Sequence, residues 1–211
     1  MMRPMTVPTS EPRVGGAPLR RPLEQGTAAW LAWRRGGIGA SDAPVIMGVS
    51  PWMDLDTLWL DKTGRRADGT STPAMRRGQQ LEPVARARYT AVTGVRVAPV
   101  CLEHPAHDWM RGSLDGLSDD GGVVLEIKCP GARDHAVARA GAVPAKYVPQ
   151  LQHLLAVARA PLCHYWSFRD GEGVLIEVAP DPGYIAGLIE RERRFWGLVL
   201  ADRRPLPQLF A

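Results

Sequence analysis

Gly112-Ser113-Leu114-Asp115-Gly116, a break that closes on Asp119-Asp120-Gly121-Gly122, and Val123-Val124-Leu125-Glu126-Ile127-Lys128 together read as two antiparallel strands and their turn. An Asp-Gly pair favours a two-residue hairpin turn. Placing Asp120-Gly121 there and counting outward sets Asp115 across the ladder from Glu126, with Cβ atoms about 5 Å apart. Side chains alternate along a strand, so Glu126 and Lys128 share a face with Val124 and Ser113 joins Asp115, while Leu125 and Ile127 turn to a face predicted as core.

Two carboxylates so close repel each other unless a cation lies between them, and an oxygen-rich pair of this kind suits Mg2+, with Mn2+ as a substitute. Such an ion polarises a phosphate and acidifies a bound water, which makes the hairpin a place to hydrolyse a phosphodiester. Lys128 can orient that water, take its proton or neutralise charge in the transition state, and the spacing does not choose among these. Taken alone, the same residues also fit a surface hairpin with solvated cross-strand pairs.

The 211 residues, 45% of them hydrophobic, suffice for one well-buried core. The 26 Lys and Arg against 22 Asp and Glu give a net charge of +4, which suits a polyanionic partner. Cys101, Cys129 and Cys163 are scattered and form no C-x-x-C pair, so neither a zinc site nor a disulfide framework is expected. No apolar run of about 18 residues and no signal pattern occurs, and a cytoplasmic protein without a membrane span is expected. Residues 1–22 are rich in Pro and Arg and read as a flexible arm, leaving 23–211 as a single domain.

Helices are predicted from Ala28 to Arg34, from Ser41 or Asp42 to Met47, around Leu55 to Lys62, from Met75 to Val92, from Ala145 to Ala158, and after Pro182. In the fourth of these, Leu81, Ala85, Tyr89 and Val92 form the apolar stripe, Glu82 lies beside it, and Pro83 marks a kink or a first turn. Strands are predicted near Val95 to Leu102, Trp109 to Leu117, and Val123 to Cys129. A further hairpin spans Leu162 to Arg169 and Val174 to Ala179 around Asp170-Gly171. The pattern is that of an α/β fold, a mixed central sheet flanked by helices. His104 and His107 read as surface histidines, and Arg65-Arg66 and Arg76-Arg77 as either DNA-backbone contacts or solvated charges.

Four blocks in order carry a resemblance. They are Trp30-Leu31-Ala32-Trp33-Arg34 with Ile38-Gly39-Ala40-Ser41-Asp42; Gly78-Gln79-Gln80-Leu81-Glu82-Pro83; the hairpin extended to Cys129-Pro130; and Tyr147-Val148-Pro149-Gln150-Leu151-Gln152-His153. The assembly resembles the lambda-exonuclease and YqaJ-type viral recombinase family of the PD-(D/E)XK nuclease superfamily. The resemblance implies a restriction-endonuclease-like core. It implies that Asp115, Glu126, the Ile127 carbonyl and Glu82 hold Mg2+, and that Lys128 and Gln150 serve the attacking water, with Tyr147 one turn from Gln150. It further implies that Arg34, Ser41 and Ser113 hold a 5′-terminal phosphate, with Arg133 the nearest match to another pocket arginine, off by about one residue in spacing.

The activity implied is 5′-to-3′ digestion of linear double-stranded DNA, leaving 3′ single-stranded tails for phage-type recombination. The implied partners are DNA ends, a single-strand annealing protein and two further copies in a homotrimer ring, in the cytoplasm of a phage-infected or prophage-bearing bacterium. An endonuclease of the same fold and an inactive DNA-end binding module are the competing readings. Related nucleases with an iron–sulfur cluster usually carry four cysteines, which three scattered ones do not match.

Overall fold

The computed structural model describes residues 16–66, 72–206 and 210. Its centre is a sheet of seven strands: β1 (Leu19–Arg21), β2 (Ile38–Gly39), β3 (Val97–Glu103), β4 (Met110–Ser118), β5 (Val123–Lys128), β6 (Leu162–Arg169) and β7 (Glu172–Val178). Six strands run side by side in the order β1, β3, β4, β5, β6, β7, all neighbours antiparallel except the parallel pair β5 and β6. β2 lies parallel to the start of β4, pairing Ile38 with Met110 and Gly39 with Arg111.

The helices are α1 (Ala28–Arg35), α2 (Ala43–Ile46), α3 (Leu55–Lys62), α4 (Pro73–Thr93), α5 (Ala132–Arg139), α6 (Val148–Ala158) and α7 (Pro182–Leu200). Thr27, Asp54, Thr72 and Asp181 cap the starts of α1, α3, α4 and α7 through their side-chain oxygens. The parallel pairing of β5 and β6 requires a crossover, and α5 and α6 supply it. α6 packs on one face of the sheet, where Leu151, Leu154 and Leu155 meet Val124, Leu114 and Tyr165. α4 covers the other face, where Ala85 and Tyr89 meet Leu125, Ile127 and Trp166. Both faces of β5 are therefore buried, and the face carrying Glu126 is as much core as the face carrying Leu125. Among the described residues no helix is long and apolar enough to cross a membrane.

The β4–β5 register is the predicted one, with Gly116 opposite Leu125 and Leu117 opposite Val124. The turn differs from the two-residue expectation. Residues 119–122 form a four-residue loop in which the Gly121 amide donates to the Ser118 carbonyl and Gly121 takes φ +74°. This loop has the same midpoint as Asp120-Gly121, so the register is unchanged. The other hairpin has Asp170 at φ +50° and Gly171 at φ +84°, as a two-residue turn requires.

Several expectations need correction. Leu19–Arg21, assigned to the flexible arm, is an edge strand on β3, held by the Arg21 ion pair to Glu103 at 2.5 Å; residues 1–15 of the arm lie outside the described residues. Pro83 sits in the middle of α4, which continues through it. Val92 is exposed, because the buried stripe of α4 narrows to Ala85 and Tyr89. His104 stacks on His107 and His107 on Trp109, both histidines half buried, and burial drives His104 down to a pKa of about 4.

Candidate active site

The site lies where the ladder between β4 and β5 opens. Beyond Leu125 the strands separate, and their backbone groups find other partners. Gln25 Nε2 donates to the Leu114 carbonyl at 3.1 Å, Arg86 Nε donates to the Asp115 carbonyl at 2.8 Å, and the Ile127 amide donates to Asp115 Oδ2 at 2.7 Å. Asp115 thus uses its carboxylate to satisfy a backbone donor that the ladder has released.

Glu126 is 2% exposed and faces α6. Its Oε1 accepts from Lys128 Nζ at 2.5 Å and from Gln150 Nε2 at 2.6 Å, while its buried Oε2 has no partner among the described residues. Burial, and then the negative charge of Glu126, push the Asp115 carboxyl well above the usual range; burial raises Glu126 too. Burial works against the charge of Lys128, but Glu126 and Asp115 outweigh it and hold the ammonium protonated. Two repelling carboxylates, one with an orphaned oxygen, are a donor set that fits a divalent cation.

Glu82 lies near enough to add to the negative field on both carboxylates, but its own carboxylate is bonded to Arg86, one turn along α4. No group of three His, Cys, Asp or Glu side chains is gathered at metal-ligand spacing among the described residues. The structure brings together Asp115 and Glu126, then, and leaves Glu82 beside them in a different bond.

A pocket of about 130 Å³ adjoins this centre, lined by Trp30, Arg34, Ser41, Arg111, Ser113 and Gln150 among others. That is below the roughly 300–1,000 Å³ typical of sites for drug-sized ligands and suits one small anionic group. Arg34 donates to Ser41 Oγ at 2.7 Å and lies 4.5 Å above the Trp30 ring, whose Nε1 donates to Ser113 Oγ at 2.8 Å. Gln150 belongs to both halves, lining the pocket while bonded to Glu126.

The loop that presents Ser41 is pinned from below. Asp42 Oδ2 accepts from the Gly39 amide at 2.8 Å and from Lys62 at 2.5 Å, and Lys62 also donates to the Arg34 carbonyl at 3.1 Å. Burial opposes ionisation of Asp42, but Lys62 and Arg34 outweigh it and hold its pKa low. Ser41 is exposed and the Asp42 side chain caps no amide of α2, so these two residues serve the pocket and its support more than the helix start.

Arg133 is not part of this pocket; it stands exposed near the start of α5. Arg111 lines the pocket instead, bonded to the Trp33 carbonyl and 3.6 Å from Glu103. Tyr147 is buried, and its ring carries Lys128 Nζ at 5.3 Å from the centroid. The sequence reading gives no role to Gln25, Trp30, Trp33, Arg86 or Arg111. Of these, only Arg86 has a local signal, its i,i+4 spacing from Glu82.

A family model described as the YqaJ-like viral recombinase domain matches residues 29–161. The uncharacterized protein YqaJ of Bacillus subtilis (strain 168) is 31% identical over 194 residues, covering 89% of this chain. The match spans 61% of that relative's length. The crystal structure of an alkaline exonuclease from Laribacter hongkongensis superposes with a TM-score of 0.71 at 26% identity, covering 83% of this chain and 94% of that one. The same enzyme in complex with dAMP gives 0.72 over the same shares. A phage-related exonuclease from Haemophilus somnus 129PT shares the fold, with a TM-score of 0.58 at 11% identity over 79% of this chain and 96% of that one.

Proposed function

The chain belongs to the YqaJ-like viral recombinase domain family, and from that premise we propose that it is a metal-dependent exonuclease that digests linear double-stranded DNA from 5′ ends and leaves 3′ single-stranded tails. The observation that carries this reading is the joining of two sites by one residue: Gln150 touches Glu126 on one side and lines the Arg34, Ser41 and Ser113 pocket on the other. An anion held in that pocket places the adjoining phosphodiester beside Asp115, Glu126 and Lys128.

Asp115, Glu126 and the Ile127 carbonyl would hold Mg2+, joined by Glu82 if it exchanges its bond to Arg86. Bound there, the ion supplies Lewis acidity to the phosphate and lowers the pKa of water. The chain's own groups do the rest. Arg34 grips the terminal phosphate through a guanidinium already aligned by Trp30 and Ser41. Lys128, bonded to Glu126, orients water and offsets charge growing on the phosphate oxygens. Gln150, bonded to the same Glu126 oxygen as Lys128, positions the water with it. An annealing protein that takes up the 3′ tail, and assembly into a ring of three, belong to the same proposal.

The test is digestion of a linear duplex, 5′-phosphorylated on one strand and labelled at either end, with Mg2+ or EDTA, beside a covalently closed circle. Mg2+-dependent loss of the phosphorylated strand from its 5′ end is expected, with the circle spared and Lys128→Ala inactive. Arg34→Ala should lower kcat/KM on phosphorylated ends by about ten- to a hundredfold, the range for a lost charged hydrogen bond. Cleavage of the circle would replace the exonuclease with an endonuclease, and binding without cleavage would leave an end-binding module. Mg2+ should also raise the melting temperature of the wild type and not that of Glu126→Gln.

A further inference from the structure

We propose that Trp52 is a stacking platform for a nucleobase of the DNA strand held in the active site, a role that rests on the nuclease reading above. Trp52 lies on the loop between α2 and α3 and is 65% exposed. A large apolar ring left that open to water is informative where its surroundings hold it in place. Here they do. Its ring stacks on Tyr147 at 6.0 Å between centroids with 28° between planes, and Lys146 Nζ lies 4.9 Å from its centroid. Its backbone amide donates to Ser50 Oγ at 3.3 Å, which fixes the loop beneath it.

Tyr147 connects this ring to the chemistry. Its own ring lies 5.3 Å from Lys128 Nζ and 5.3 Å from Lys146 Nζ. A chain of contacts therefore runs from Trp52 through Tyr147 and Lys128 to Glu126, so the exposed indole stands one aromatic layer outside the catalytic lysine. Lys146 is tethered to Asp134 at 2.7 Å, which keeps its ammonium at the rings. An exposed aromatic ring with a cation against it is how proteins hold single-stranded nucleic acid: the base stacks on the ring and the neighbouring phosphate meets the charge. Continuity with the site and the adjoining ammonium favour a base of the bound strand as the occupant over a protein surface.

The test measures binding of a 5′-phosphorylated duplex, labelled at its far end, without divalent metal, and initial digestion rates with Mg2+. Trp52→Ala should weaken end binding about tenfold, and Trp52→Phe should recover most of it. An abasic residue scanned through the first three nucleotides should cost the wild type a similar factor at one position and cost Trp52→Ala nothing further there, since ring and base are one interaction. Independent, multiplying losses would overturn the proposal, as would full affinity in Trp52→Ala. Should Trp52→Ala fail to fold, the wild-type scan still decides: no sensitive position means no stacked base. A change of oligomeric mass in Trp52→Ala, with DNA affinity per site intact, would assign the ring to a subunit contact instead. A wild type that neither binds nor digests the duplex would sink the nuclease reading itself.

Discussion

Glu192 and His153 are both fully buried, and they meet at 2.7 Å between α7 and α6. The other ring nitrogen of His153 faces the Arg111 carbonyl at 2.9 Å, so the ring lies between two acceptors and a proton is shared between imidazole and carboxyl. Burial alone would lower the pKa of His153; the charge and hydrogen bond of Glu192 outweigh it and raise the value above 6.5. Glu192 is raised as well, chiefly by burial. Both shifts mean that the folded protein keeps a proton the unfolded chain releases. For His153 that stability is fully present below about pH 6.5 and is lost as pH rises through the folded value. The pair's own contribution should therefore fall as pH rises through neutrality, while His104, His107 and His164, whose values burial lowers, contribute in the opposite direction, so the pair is read from the difference in pH slope between wild type and variant. In Glu192→Gln the largest influence raising the His153 pKa is gone, so denaturant unfolding between pH 6 and pH 8 should show a pH slope shifted in the positive direction relative to the wild type; an unchanged slope would show that the pair contributes nothing to it. The pair also bears on the site, because it anchors the Arg111 backbone two residues from Ser113.

β2 is only two residues long, yet it sets the pocket, since its parallel pairing with the start of β4 brings Gly39 and Ser41 beside Arg111 and Ser113. Gly37 makes that approach feasible: a Cβ there would lie 2.5 Å from the Trp109 carbonyl oxygen, which already accepts from the Ile38 amide at 2.6 Å. Gly37→Ala should cost about 1–3 kcal/mol, as overpacking does. It should also reduce the preference for 5′-phosphorylated over 5′-hydroxyl ends while the rate on hydroxyl ends changes little. A uniform loss on both ends would show that β2 supports the fold and not the pocket. Such a strand has no sequence signature, because two residues carry no period and a parallel partner 72 positions away is set by tertiary structure alone. The β4–β5 hairpin is the opposite case. Its turn, alternation and register are all local, and Asp115 and Glu126 could be paired from them. α5 escaped prediction because its buried residues are His135 and Ala138, which make no apolar stripe. β1 escaped because three exposed residues in a Pro/Arg-rich stretch look unstructured until β3 is there to pair with them. The resemblance in four blocks pointed to Arg34, Ser41 and Ser113, which no local periodicity could have joined and which line one pocket, and also to Arg133, which stands exposed outside that lining.

Over the whole molecule the excess of positive charge is small, +4, and much of it is already answered. Arg65 makes a bidentate pair with Asp202 at 2.5 and 2.8 Å and lies 4.7 Å from the Trp59 ring centroid. Arg66 pairs with Asp61, Arg77 with Asp170 and Arg204 with Asp56. A duplex drawn to these arginines trades one anionic partner for another, a carboxylate displaced for each phosphate gained, so each exchange gives less net attraction than an unpaired arginine would. Arg34 is different: it donates to a neutral hydroxyl and lies over an aromatic ring, and the nearby Asp42 carboxylate is already paired with Lys62. Affinity for DNA should accordingly come from a few contacts at the end of the duplex and not from a broad basic track. Since each phosphate contact contributes about −0.9 to the slope of log K against log salt, Arg34→Ala should reduce the slope of end binding by about one. The double variant Arg65→Ala and Arg66→Ala, which removes two such pairs, should leave it unchanged while lowering stability by no more than about 2 kcal/mol. A slope that falls by about two in the double variant would mean that DNA does compete Asp202 and Asp61 away, and that Arg65 and Arg66 contact the backbone.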